Sequence, residues 1–217
     1  MDIVIKKPNR EIWISPNKKI AWARTYKTGS SFYNAALYAA KWQQVAFDDL
    51  DWDSTFVFSH IKEPIRRRHK GVAEWMWQRG ITAESMREHD MFAFLEAPFF
   101  DFHSLPICLL WQNKIDQIHW IPTDIKKFNH ETYTQQMCNS FDCELDYEVP
   151  EDVRHESSEE QIQLYNMIKL HWESSCQYSD VVSAFFQDDV KLYENTKLKF
   201  ASVPEWSNGA DCKSVDS

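Results

Sequence analysis

The sequence predicts an α/β domain with a mostly parallel central sheet flanked by helices, and three observations predict it. Strand-like and helix-like stretches alternate along the chain, the pattern of a sheet covered by helices. Ser54–Ile61 (STFVFSHI) is a near-continuous apolar run of strand length, as found where helices cover both faces of a parallel sheet. The chain has 217 residues, of which 43% are hydrophobic and 26% charged, enough to bury one sizeable core. Residues 1–200 are therefore expected to form a single domain.

The elements follow in order. Glu11–Ser15 and Lys19–Thr25 read as two strands joined by a tight turn at Pro16-Asn17. From Ser30 the stretch SSFYNAALYAAKWQQVAF places Phe32, Ala35, Ala36, Ala39 and Ala40 at helical spacing, with Ser30 or Ser31 as N-cap. After the strand at Ser54–Ile61, Pro64 suits the first turn of a helix running to about Arg79. Thr82–Ala97 and Phe128–Cys138 read as further helices, and Gln117–Pro122 as a strand. Ser158–Thr196 reads as two helices broken near Ser174–Ser179. Ala201–Ser217 turns small and polar, and is expected to be a tail outside the fold.

Composition narrows the function classes. A net charge of −9 argues against a general nucleic-acid binder and against attraction to a membrane surface. No apolar run approaches the ~20 residues that span a bilayer. The first residues, MDIVIKKPNR, lack the pattern of a secretory signal. The five cysteines form no C-x-x-C pair, which fits reduced thiols and a cytoplasmic protein. The 10 tryptophans read as core filling.

Two stations carry chemistry. Lys27-Thr28-Gly29-Ser30-Ser31 lies between a strand end and a helix start. A helix N-terminus leaves backbone N–H groups unpaired and carries partial positive charge, so an anion sits there favourably. Gly29 permits close approach, the hydroxyls of Thr28, Ser30 and Ser31 add donors, and Lys27 adds a full charge. The second station, Lys62 to Gly71 (KEPIRRRHKG), carries five Lys/Arg in nine positions just after a core strand. Open α/β sheets bind ligands at that end of their strands. Two cationic strand ends suit a ligand with anions at two points.

Together these stations resemble the sulfotransferases that use 3′-phosphoadenosine 5′-phosphosulfate (PAPS). Tyr26-Lys27-Thr28-Gly29-Ser30-Ser31 is similar to that family's P-K-[TS]-[GA]-[ST]-[ST] turn for the 5′-phosphosulfate. Residues 62–71 are similar to its R-[DN]-P-x-x-R-x-x-S-[GA] element for the 3′-phosphate. Asp101-Phe102-His103-Ser104-Leu105-Pro106 resembles a D-x-H-[TS]-x-P block, and Asp188-Asp189-Val190-Lys191-Leu192-Tyr193 resembles a terminal D-x-x-L-[YF] signature. The chain departs from the pattern at Lys62 (arginine in the family), Glu63, Lys70 (serine in the family) and Ile107 (often glutamine).

The resemblance implies a three-layer, P-loop-like fold and transfer of a sulfuryl group from PAPS to a hydroxyl, such as a glycan, without a metal. It implies Lys27 and the backbone of Thr28–Ser31 at the 5′ end, and Lys62, Arg67 and Lys70 at the 3′-phosphate. His103 is the candidate base, oriented by Asp101 if 99–103 is extended, with His60 in reserve. Phe32, Trp75 and Trp77 are candidate walls for adenine. A nucleotide kinase would place the lysine after the glycine. A non-catalytic module on an eroded fold is the remaining rival.

Overall fold

The computed structural model describes residues 10–88, 95, 97, 100–126, 128–145 and 157–201. Strand β1 (Ile12–Ile14) and β2 (Ile20–Ala23) form the expected antiparallel hairpin, with Ile12 opposite Ala23. Asn17 holds its turn: Oδ1 accepts from Ser15 Oγ at 2.8 Å and from the Lys19 amide at 3.1 Å.

Helix α1 (Ser30–Ala39) follows, and here the sequence reading is corrected twice. Its N-cap is Gly29, at φ 94°, and neither serine serves as the cap. Nor does it run to Phe47. Lys41 turns left-handed at φ 62°, Lys41 N–H donates to Tyr38 O and Trp42 N–H to Leu37 O, a Schellman closure that ends the helix. The chain then returns as β3 (Gln43–Val45), antiparallel to β1. Burial of Trp42 against α1 residues and Phe58 fixes that reversal.

β4 (Phe56–Ile61), α2 (Pro64–Trp77, with Pro64 in its first turn), α3 (Ala83–Glu88) and α4 (Ile107–Trp111) come next. β5 (Ile118–Pro122) and α5 (His130–Ser140) fall where expected. Of the helix expected over 82–97, the described part is α3, and residues 89–94 and 96 lie outside the described set. The last third forms three helices, not two: α6 (Glu159–Ser174), α7 (Cys176–Phe185) and α8 (Gln187–Ala201). The second break falls at Phe186, which is buried among α2, α6 and α7 residues. The segment 202–217, expected to be a tail, also lies outside the described residues.

The five strands are ordered β3-β1-β2-β4-β5. The expectation of a mostly parallel sheet is corrected to a mixed one. The β1 ladders with β2 and β3 are antiparallel, while β2–β4 and β4–β5 are parallel. The tight hairpin and the Schellman return force the antiparallel half, since neither leaves chain enough for a crossover. The parallel half brings the carboxyl ends of β2, β4 and β5 to one edge.

Side chains alternate across the sheet. Val57 and Ile61 face Ile107, Leu110 and Trp111 of α4 and Tyr193 of α8. Phe58 faces Phe32, Tyr33 and Leu37 of α1 and Cys138 of α5. A third cluster of Val72, Met76, Met86, Leu164, Ile168, Val182 and Phe186 joins α2 to α3, α6 and α7. Trp22 and Trp111 are fully buried, in the core role expected of the tryptophans. Among the described residues, no helix is long and apolar enough to cross a membrane.

Candidate functional site

At the edge where β2, β4 and β5 end lies a cleft of about 660 Å³. The loop after β2 gives it Arg24 and Tyr26–Ser31, the residue after β4 is Lys62, and Thr123 follows β5. Helix α2 contributes Arg66, Lys70, Ala73 and Glu74, and α6 closes the far side with Gln161, Tyr165 and Asn166. Both sequence stations therefore open onto one cavity. Arg24, Lys27, Lys62, Arg66 and Lys70 face two acids, Glu74 and Glu131, in a chain of net charge −9.

The loop is braced from beneath. Buried Thr25 Oγ1 and Ser59 Oγ lie 2.9 Å apart, Ser59 Oγ donates to Ala23 O at 2.5 Å, and Trp111 Nε1 donates to Thr25 Oγ1 at 3.4 Å. Lys27 has φ 66° and Gly29 φ 94°, with Thr28 between them outside the positive-φ region. Alternation of right- and left-handed backbone is the conformation that turns successive N–H groups to one side in anion nests. The Thr28 hydroxyl donates to Thr25 O at 2.7 Å, so its proton is committed to the loop rather than offered to a ligand.

Lys27 points inward, with its side chain 26% exposed and its Nζ in contact with Glu74. Burial, and then Lys70, press its ammonium down to about 8, while Asp101 opposes. Lys62 and Lys70 are likewise lowered, by burial first and then by neighbouring cations. These charges crowd one another, and an anion among them would relieve all three.

Phase along α2 decides which cations reach the cleft. Arg66 and Lys70, four apart, share its open face, and Lys62, just before the helix, lines the same cleft. Arg67 does not. It is fully buried, donates to Leu105 O and, at 3.4 Å, to His103 O, and lies 3.7 Å from Asp189. Arg67, expected at the 3′-phosphate, thus belongs to the framework, and its neighbour Arg66 lines the cleft. Arg68 is also interior, donating to Tyr178 Oη at 2.5 Å and to Ala97 O at 2.7 Å. Glu63, the acid expected beside the phosphate, is the α2 N-cap and accepts from Ile65 and Arg66 amides at 3.1 and 2.6 Å.

His103 lines the cleft as expected, although the described residues 100–103 form a bend and turn and not a strand. It sits in a turn held by Ser104, whose Oγ accepts from the Phe100 and Asp101 amides at 2.9 and 3.2 Å. Asp101 Oδ1 accepts from the His103 amide at 2.9 Å and Oδ2 lies 2.9 Å from Nδ1, so Nε2 is turned towards Glu74, 3.8 Å away. Gly71 lets α2 meet this turn: a Cβ there would lie 2.3 Å from His103 O.

His60 is excluded as a base by burial. Its Nδ1 accepts from Trp22 Nε1 at 3.1 Å, Nε2 lies 3.2 Å from Thr134 Oγ1, and burial drives its pKa well down. Of the aromatic candidates, Phe32 lines the cleft. Trp75 instead packs on Phe100 and beneath Arg79, and Trp77 is 45% exposed away from it.

Sequence reasoning missed Glu74, Arg66, Tyr165 and His130, whose Nδ1 lies 2.8 Å from Tyr33 Oη. The four-residue spacing of Arg66, Lys70 and Glu74 along α2 was a signal for Arg66 and Glu74. None existed for Tyr165.

The terminal signature has a visible role. Asp189 caps α4, accepting from the Ile107 and Cys108 amides at 2.6 and 2.8 Å, and Tyr193 Oη donates to Asp124 at 2.9 Å. A second hollow of about 760 Å³, between the hairpin turn and the ends of α1 and α5, mixes Lys41 with Asp142 and Glu144 and gathers no row of like charge. Among the described residues no cluster of His, Cys, Asp and Glu has the makings of a metal site. No protein-family model matches the chain, and no curated protein or solved structure is significantly similar to it.

Proposed function

We propose that the protein is a sulfotransferase-like enzyme that moves a sulfuryl group from PAPS to a hydroxyl acceptor, a glycan or another hydroxyl compound. One observation carries this reading. The Lys27 loop, the Lys62–Arg66–Lys70 row and the Asp101-oriented His103 open onto a single cleft at the carboxyl edge of three parallel strands.

In this reading the backbone of Thr28–Ser31 binds the donor's 5′-phosphate, and Lys62, Arg66 and Lys70 bind the 3′-phosphate. The S–O bond to the donor phosphate breaks as a bond from sulfur to the acceptor oxygen forms. Lys27 neutralises the departing oxygen, and the acceptor's proton passes to His103 Nε2. Alignment and charge stabilisation supply most of the rate, as in phosphoryl transfer.

The test is thermal stability with adenosine 3′,5′-bisphosphate and with ATP–Mg²⁺. Stabilisation by the bisphosphate, absent in Lys27→Ala, supports the reading. A response confined to ATP–Mg²⁺ supports a kinase, and silence to both supports a non-catalytic module. The lysines at 62 and 70, which replace the family's arginine and serine, favour that last alternative.

A further inference from the structure

Glu74 is the only acidic residue of α2, and it faces the cleft four residues beyond Lys70. Its carboxylate touches Lys27 Nζ, while Oε1 lies 3.8 Å from His103 Nε2. It therefore fills the gap between the cation assigned to the leaving oxygen and the imidazole assigned to the acceptor. A carboxylate is planar, anionic and close in size to a transferring sulfuryl group. The other acids lie elsewhere: Asp101 is held by His103, and Glu131 sits at the His130 end.

We infer that Glu74 is an internal ligand of the Lys27 loop and a specificity-determining residue, imposing a displacement cost on any anion that binds there. The inference rests on the reading that the donor's 5′ end is what reaches Lys27. An anion held only by Lys62, Arg66 and Lys70 leaves Glu74 undisturbed. A ligand anchored at both ends offsets the displacement with its second anion, whereas one charged only at its 5′ end does not. The displaced carboxylate has a destination in His103, which carries a positive charge once it has taken the acceptor's proton. The imidazolium would then stand between Asp101 and Glu74.

Titration calorimetry on the full chain and on Glu74→Gln tests this, with 5′-AMP, 3′-AMP, adenosine 3′,5′-bisphosphate and inorganic pyrophosphate as probes. Glu74→Gln should bind 5′-AMP and pyrophosphate about tenfold tighter, the value of one partly buried ion pair. 3′-AMP should stay within about twofold, since it does not meet Glu74. Glu74→Ala, which removes the carboxylate differently, should follow the same pattern.

Where 5′-AMP binds, unchanged or weaker binding to Glu74→Gln or an equal gain for 3′-AMP overturns the inference, as does no pyrophosphate binding to either protein. Bisphosphate binding that needs Lys27 but ignores Glu74→Gln overturns it while the donor reading stands. Pyrophosphate tightened by Glu74→Gln, with no response to any adenosine compound, upholds it and overturns the donor reading.

Discussion

Gly71→Ala is the substitution whose effect the structure fixes most closely. Gly71 lies inside α2, where glycine is normally about 1 kcal/mol worse than alanine, so helix propensity alone would make the change stabilising. The contact says otherwise. The new Cβ would lie 2.3 Å from His103 O, 2.6 Å from His103 C and 2.9 Å from Ser104 N, all backbone atoms. Ordinary contact begins near 3.4 Å, so α2 and the 101–104 turn must part by about 1.1 Å. Overpacking of this kind costs about 1–3 kcal/mol, and a clash with backbone belongs at the upper end. After the propensity gain the net loss is about 2 kcal/mol, or about 4–8 °C in melting temperature for a chain of this size. The turn that moves holds His103, and a misplacement of about 1 Å at a reacting group costs about a hundredfold in rate. Calorimetry reads the first effect and a transfer assay the second, with bisphosphate affinity kept within a few-fold. A variant that melts at or above the wild-type temperature would refute the close approach of α2 to His103.

Four further outcomes follow from the same geometry. Asp189→Ala strands the buried Arg67 guanidinium and uncaps α4, so urea denaturation should show a loss of about 3–5 kcal/mol; a loss under 1 kcal/mol would count against a buried pair. His103→Ala should abolish transfer yet leave bisphosphate-induced stabilisation intact, and retained turnover would remove His103 as the base. His69 is held neutral, its pKa pushed to about 3 by burial and then by Arg68, so between about 6.5 and 3 the unfolded chain binds the extra proton. Stability should therefore fall with falling pH in that window by about 1 kcal/mol per unit from this residue, and His69→Phe should remove that share of the slope. Bisphosphate binding near pH 8.5 should take up protons, because an anion raises the depressed Lys27, Lys62 and Lys70; calorimetry in buffers of different ionisation enthalpy that shows proton release would contradict this.

The sequence by itself determined what depends on near neighbours along the chain. The hairpin at Pro16-Asn17, the buried strand ending at Ile61 and the helix opened by Pro64 all rest on local rules, and all are present. The polar strand Gln43–Val45 was not legible, because its reason for existing is the open edge of β1, distant in sequence. Tertiary structure alone decided which of the consecutive arginines meets solvent. Helical phase separates Arg66 from Arg67, but only packing against α6, α7 and α8 says which face is inside. It also decided that Glu74 meets Lys27 and that Asp189 holds Arg67, contacts spanning 47 and 122 residues. Charge and spacing along a chain determine what an ion pair can be made of. Where it forms depends on which elements the core brings together, and that information belongs to no single segment.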